Sequence, residues 1–236
     1  MKLDILAFGA HPDDIELGCG GLLISEVKKG KKIGLVDLTA GELGSRGTVE
    51  IRAEEAQQAA LVMDASIRVN LEMADGKFAI NDFNLAKVIA TIRVYRPEIV
   101  ITNAPYDRHP DHGRAAKLVE EACFLSGLIK LQYDGVPSEP WRPKAIYQYM
   151  QFYHHKPDFI YDITEVMDVK VAAIKAHKSQ FWNPESQEPA TLIASKEFFD
   201  GITYRAAEFG LQAGFGFGEP FMVIRTPGLK NIFELY

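Results

Sequence analysis

The chain has 236 residues, of which 47% are hydrophobic and 25% charged, and a formal net charge of -6. That length suits one domain with a substantial core, and the acidic balance argues against a nucleic-acid or anionic-membrane partner. No apolar run approaches the length needed to cross a bilayer. The first ten residues, with one Lys and an Asp at position 4, do not resemble a signal peptide. The expectation is a single cytoplasmic, enzyme-sized domain over 1–236.

Leu3 to Gly9 is a short, mostly apolar run bounded by glycine, which predicts a buried strand. Directly beyond it, Gly9-Ala10-His11-Pro12-Asp13-Asp14 sets an imidazole and two carboxylates within four residues, ahead of a helix over about 15–29. Pro12 suits a tight strand-to-helix turn. His11 and Asp14 stand three apart and can converge on one ion, leaving Asp13 free. The plainer use of either Asp is as the N-cap of the helix. A second strand is predicted over 32–38, followed by a glycine-rich loop over 39–48 that carries Arg46. The loop lacks the G-x-G-x-x-G pattern of a dinucleotide site. Thr48 is the predicted N-cap of a helix over 49–63, with Arg52 near its first turn. A third strand over 66–71 and an amphipathic helix over 81–95, with Pro97 beyond its end, come next.

The apolar run 99–102 then leads to Arg108-His109-Pro110-Asp111-His112 and a helical pattern over 113–125. Two His/Asp clusters, each after a strand and before a helix, fit one parallel sheet that brings them together beyond its carboxyl edge. Strands alternating with helices argue for right-handed βαβ units and an α/β, Rossmann-like, mostly parallel sheet flanked by helices. Past residue 125 the rhythm breaks into a Gly- and Pro-containing excursion over 127–143. Further strands are expected over 145–149, 159–163 and 222–225, with helices over about 164–177 and 195–210. The polar, proline-containing stretch 178–189 is expected to be a mobile loop near the pocket. His154 and His155 lack partners at ligand spacing. Cys19 and Cys123 sit in helical patterns as small core thiols.

His11, Asp14 and His112 make a two-histidine, one-carboxylate set, the pattern of a catalytic metal site with open positions. It suits zinc (Zn2+) best, although Fe2+ or Mn2+ can use the same ligands. Asp13 is the candidate general base. His109 could polarise a carbonyl oxygen or protonate a leaving amine, and Asp111 could orient it through its other ring hydrogen. The set matches attack of water on an amide or ester. The competing reading is a non-catalytic sugar-binding protein with a structural metal, but such a site is usually closed by four protein ligands.

Ala-His-Pro-Asp-Asp at 10–14, Thr-Ala-Gly-Glu-Leu-Gly at 39–44, His-Pro-Asp-His at 109–112, His-Lys-Ser-Gln at 177–180 and the closing Gly-Phe-Gly-Glu-Pro-Phe resemble the zinc-dependent N-acetylglucosaminyl deacetylases, the PIG-L or LmbE-like family. The resemblance spans nearly the whole chain. It implies a metal on His11, Asp14 and His112, with Asp13 as base and His109 as the oxyanion-stabilising group oriented by Asp111. The run 44–56 is most similar to the bacillithiol-pathway deacetylases, which act on N-acetylglucosaminyl-malate, with Val49 standing where proline is expected. That subgroup implies a small-molecule N-acetylglucosaminyl conjugate as substrate and a homo-oligomer, often a hexamer. Another acetylated sugar, such as a chitooligosaccharide or a different thiol-cofactor precursor, is the alternative substrate. Arg46, Arg52 and Arg108 approach the carboxyl edge of the sheet and are the expected cations for malate's carboxylates.

Overall fold

A computed structural model describes residues 1–234. Seven strands form one sheet: β1 (Ile5–Gly9), β2 (Ile33–Thr39), β3 (Ile67–Met73), β4 (Ile99–Asn103), β5 (Ala145–Tyr149), β6 (Phe159–Asp162) and β7 (Gly218–Val223). Six α-helices connect them: α1 (Asp14–Lys28), α2 (Val49–Val62), α3 (Asp82–Tyr95), α4 (Pro110–Leu125), α5 (Met167–Ala176) and α6 (Lys196–Ala213). The spatial order is β3-β2-β1-β4-β5-β7-β6. The first five strands run parallel, and β7 runs antiparallel to both β5 and β6.

Period-two alternation decides how the sheet is covered. Ile5 and Ala7 face one core with Leu22 and Leu23 of α1 and Ala173 of α5. Leu6 and Phe8 face the other, with Val88, Ile89 and Ile92 of α3 and Leu118 and Val119 of α4. Burying both faces is why β1 reads as a continuous apolar run rather than an alternating one. The βαβ reading and the mostly parallel sheet are therefore what the chain adopts.

Several element bounds differ from the sequence reading, among them those of the last strand and of the helix after the second cluster. The last strand begins at Gly218 rather than 222 and contains Pro220. The pairing of β7 with β5 ends at Phe221, so Pro220 meets only β6 in the register and interrupts no rung to β5. Helix α4 begins at Pro110 rather than Gly113, with His109 as its N-cap. Proline is well suited to that first position because its missing N–H would have no intrahelical partner there.

Helix α1 lies under the site and is kinked at Cys19 (φ -143°, ψ 15°). Beyond the kink the restarted helix has free N–H groups, and the Glu219 carboxylate of β7 accepts from Gly21 N–H at 2.8 Å and Leu22 N–H at 2.7 Å. Lys170 of α5 pairs with Glu219 from the other side. Gly18 permits the close approach of α1 to β5, because a Cβ there would lie 2.0 Å from the Tyr149 ring.

Beneath the site, Arg68 of β3 grips Asp37 of β2 with two bonds of 2.8 and 2.9 Å and also bonds Glu16 of α1. His177 places Nε2 3.1 Å from Glu16, as an ion-pair contact rather than an aligned hydrogen bond. Burial disfavours the Glu16 anion, but Arg68 and His177 outweigh it and hold its pKa far below the ordinary carboxylate range. Asp37 is pushed up by its burial in spite of Arg68. All four side chains are buried, so removing the one guanidinium strands two carboxylates. Arg68→Met is expected to cost about 3–5 kcal/mol, read as a lower urea midpoint at pH 7. An unchanged midpoint would show that the cluster does not hold β2, β3 and α1 together.

Candidate active site

Strand order reverses between β1 and β4, the place where open α/β sheets bind ligands. Parallel pairing of Ile5 with Ile99, Leu6 with Val100 and Ala7 with Ile101 sets the two strand ends side by side. The loop after β1 supplies His11, Asp13 and Asp14, and the loop and first turn after β4 supply Asp107, Arg108, His109, Asp111 and His112. A cavity of about 220 Å3 opens over them, lined also by Asp75, Arg52, Gln151, Gln180 and Phe198.

Asp14 is the centre of the cluster. Its Oδ2 accepts from the His11 main-chain N–H at 3.0 Å and from Asn103 Nδ2 at 3.2 Å, and its Oδ1 accepts from Gln151 Nε2 at 2.6 Å. The ring of His11 reaches Oδ2 through Nδ1 at 3.5 Å, and the ring of His112 reaches Oδ1 through Nε2 at 3.3 Å. Burial works against the Asp14 anion, but His112 and His11 overcome it and hold the carboxyl well below its usual range.

The outer nitrogen of each imidazole is held by another carboxylate. His112 Nδ1 lies 2.8 Å from Asp107, which also accepts from the main-chain N–H of Tyr153 at 2.8 Å. His11 Nε2 lies 3.1 Å from Asp75 and 3.6 Å from Asp111. Burial lowers both imidazole pKa values, yet the carboxylates raise His112 to about 9 and His11 well above its ordinary value. Asp75 is lowered to about 2: burial opposes this, but His11 and the Leu43 N–H prevail. Carboxylates on the outer nitrogens leave His11 Nδ1 and His112 Nε2 turned inward, the arrangement that orients histidine ligands at metal sites. His11, His109 and His112 can also each bring a ring nitrogen within 4.8 Å of the others, as can donor atoms of His11, Asp75 and Asp111. An anion-rich pocket with inward-facing imidazole nitrogens has the donor chemistry of a divalent-metal site.

Asp13 points away from this centre. It is buried, and its carboxylate lies 3.6 Å from Arg52 Nη2. Arg52 in turn donates to the Gly41 carbonyl at 2.9 Å. Gly41 (φ 68°) lies in the left-handed region that favours glycine, and a Cβ there would displace the Arg52 guanidinium, lying 1.8 Å from Nη1. His109 sits half-buried with its ring centroid 4.6 Å from that of His11. Burial, with the neighbouring His11 and His112, lowers its pKa. Its Nδ1 accepts from the Asp111 main-chain N–H at 3.2 Å, so the neutral ring carries its proton on Nε2.

That contact corrects the role expected of the Asp111 side chain. The carboxylate turns to His11, the Gly76 N–H at 2.7 Å and Arg114, while only the Asp111 backbone holds His109. Arg46 is also corrected. Its guanidinium is spent on the main-chain carbonyls of Ser179, Glu188 and Pro189 and on Ser186 Oγ, and it does not line the cavity. The segment 178–189, expected to be a mobile loop near the pocket, is held by these bonds, and Ser179 is fixed further by Glu55 through two bonds of 2.7 Å. Arg108 is exposed on the cavity wall, with its guanidinium 5.0 Å above the Phe152 ring and no side-chain hydrogen bond among the described residues.

Asp75, Asn103, Asp107 and Gln151 were missed by the sequence reading. Asn103 and Gln151 stand at and just beyond the ends of β4 and β5, where strand-end placement could have flagged them. Asp107 stands two residues before His109 and carried a comparable signal. Asp75-Gly76 reads only as a turn.

Fold and site define a Rossmann-like domain with a His/Asp cluster that could hold a metal at the carboxyl edge of its sheet. The chain matches the PIG-L family, GlcNAc-PI de-N-acetylase, over residues 6–123 and belongs to that family. It is 30% identical to diacetylchitobiose deacetylase of Thermococcus kodakarensis over 75% of this chain and 70% of that protein. It is 28% identical to a Bacillus subtilis protein named "Probable N-acetyl-alpha-D-glucosaminyl L-malate deacetylase 2", over 76% of this chain and 84% of the other. Among solved structures it resembles the conserved protein TT1542 of Thermus thermophilus, with a TM-score of 0.87, 33% identity and 98% of each chain covered. No helix among the described residues is long and apolar enough to cross a membrane.

The imidazole pKa values give the site a pH signature. In the metal-free protein His112 holds its proton up to about pH 9. Because that value is raised, its contribution to stability is full below the ordinary value of about 6.5 and is lost as pH rises through 9. A metal must displace this proton, so apparent zinc affinity should rise by at least about tenfold per unit from pH 7 to 9 and then flatten. Competition titration with a chromophoric chelator measures it, and an affinity flat across that range would place the ion elsewhere.

Proposed function

We propose that this protein is a zinc-dependent N-deacetylase that removes the acetyl group from an N-acetylglucosaminyl conjugate, with N-acetylglucosaminyl-malate as the substrate. The observation that carries the reading is the divergence of two adjacent carboxylates. Asp14 faces His11 and His112, whereas Asp13 faces Arg52 at the cavity wall. One carboxylate can therefore serve as a ligand while its neighbour remains free to carry protons.

In this reading His11, Asp14 and His112 hold the ion, which when bound supplies the Lewis acidity that polarises an amide carbonyl and acidifies water. Asp13 accepts the proton of the attacking water and returns it to the leaving amine. Arg52 fixes the direction of the Asp13 carboxylate, and the loop turn at Gly41 fixes Arg52. His109, neutral and protonated on Nε2, donates to the oxygen that gains negative charge. Its lowered pKa supports that assignment, because a neutral donor needs no charged partner inside the cluster.

For the malate carboxylates, Arg108 is the available cation. Arg46 is committed to the loop 178–189, and Arg52 to Gly41 and Asp13. The Arg108 fork is free, and stacking on Phe152 limits its freedom before any ligand arrives. The similarity to the Bacillus subtilis protein supports malate, while that to the Thermococcus enzyme supports a chitooligosaccharide.

Amine release from a panel of N-acetylglucosamine conjugates tests the reading. Asp13→Asn should keep its zinc and lose roughly a hundredfold or more in turnover, whereas His112→Ala should lose zinc and turnover together. If Asp13→Asn strips the metal, the two carboxylates have exchanged roles. Arg108→Lys should lose far more efficiency on N-acetylglucosaminyl-malate than on uncharged N-acetylglucosamine. Equal losses on both would remove the support for malate.

A further inference from the structure

A second cavity of about 270 Å3 lies behind the site, and Leu17, Gln151, Phe152 and Phe198 line both. Its other walls come mainly from β7 and α6 and include Met150, Ile202, Ala206, Phe209 and Pro220. Lys170 and Glu219 also reach it, but they neutralise each other in a buried pair. The other basic side chains on its wall are His154, packed on the Phe209 ring, and Arg205. Arg205 Nη1 donates to the main-chain oxygen of Gln151, while Nη2 is buried without a partner among the described residues. Gln151 forms the partition. Its Nε2 holds Asp14 on one side, its carbonyl holds Arg205 on the other, and its own Oε1 is buried and unpartnered.

A part-buried guanidinium with one buried, unused N–H group is a costly arrangement unless an acceptor oxygen completes it. Around it the walls are chiefly apolar, and a cation set among apolar walls suits a carboxylate with a short hydrocarbon tail. We infer that this cavity binds a short-chain monocarboxylate at the Arg205 guanidinium, and that it receives the acetate released on the other side of Gln151. The identity of acetate as the natural ligand rests on the deacetylase reading; the carboxylate site itself does not.

Binding of acetate, butyrate and hexanoate to the zinc-loaded protein, measured by calorimetry, provides the test. Apolar walls predict affinity rising about fourfold per added methylene, from about 0.8 kcal/mol for each buried CH2. Arg205→Met, which keeps much of the stem and removes the charge, should weaken all three by tenfold or more with zinc content unchanged. A second variant avoids dependence on the Arg205 contacts. Gly201 lines the cavity within α6, and a Cβ there would meet nothing within 4 Å. Gly201→Leu should therefore fold, since leucine favours a helix interior over glycine. It should also exclude hexanoate by occupying the space. Carboxylate binding that survives both variants but disappears with Arg108→Met or on zinc removal would overturn the inference, placing the anion in the first cavity. Absence of turnover on every N-acetyl sugar, with Arg205-dependent hexanoate binding intact, would instead refute the deacetylase reading and keep the carboxylate site.

Discussion

Parallel pairing of β1 with β4 is the constraint on which the site depends. Two strands about 90 residues apart in sequence sit side by side, so their following turns share one patch of space. Asn103, the last residue of β4, makes the coupling explicit. Its side chain accepts from the Ala10 N–H at 3.0 Å and donates to Asp14, so one amide joins the turn after β1 to the strand that delivers His109 and His112. The buried Arg68 cluster supports the same turn from below through Glu16, two residues after Asp14. A site assembled this way has little freedom to adjust. Its polar atoms are set by main-chain geometry and by a packed sheet, which favours preorganisation over induced closure.

The electrostatics follow from that crowding. Asp13, Asp14, Asp75, Asp107 and Asp111 surround three imidazoles in a largely buried space. Each outer carboxylate has a donor of its own: Leu43 N–H for Asp75, Tyr153 N–H for Asp107 and Gly76 N–H for Asp111. Those bonds fix the carboxylates as acceptors before any ion enters. The imidazoles respond by gaining protons, and only His109, lacking a carboxylate on its ring nitrogens, moves the other way. One cluster thus contains two imidazoles tuned to charge and one tuned to neutrality. The distinction comes from their hydrogen-bond partners.

Much of this was legible in the sequence. The apolar runs ahead of His11 and His109, and the helical patterns after them, are local signals, and they placed both clusters at one sheet edge. Long-range partners are different. Nothing near Asp75 in the sequence says that it reaches His11, because that contact spans 64 residues and depends on the β2–β3 register. Arg46 looked available because it stands in a glycine-rich loop. Its carbonyl partners lie more than 130 residues away. The Asp111 side chain was assigned to the neighbouring His109 by proximity in sequence, yet the first turn of α4 directs it to His11 and Arg114. Such errors share one cause: sequence shows which side chains can bond, while tertiary packing selects the partner.

Strand β5 shows how an element without a recognisable motif can govern chemistry. Gln151, just past its end, steadies Asp14. The next two main-chain N–H groups hold Asp107, which orients His112, and the Phe152 ring supports Arg108. Three parts of the site therefore hang on one three-residue turn: the Asp14 carboxylate, the partner of the His112 imidazole and the cation at the cavity wall. The same turn gives Arg205 its carbonyl anchors on the far side. A displacement of this turn would move all of them together, so the alignment of the His/Asp cluster and the position of Arg108 are not independent. Gly18 protects that coupling, because it lets α1 close against Tyr149 at the end of β5, and Tyr149 Oη donates to the Phe8 carbonyl of β1 at 3.1 Å. The precision of the site thus traces to how closely β5 packs on α1 and β1, a property of core packing rather than of the motifs themselves.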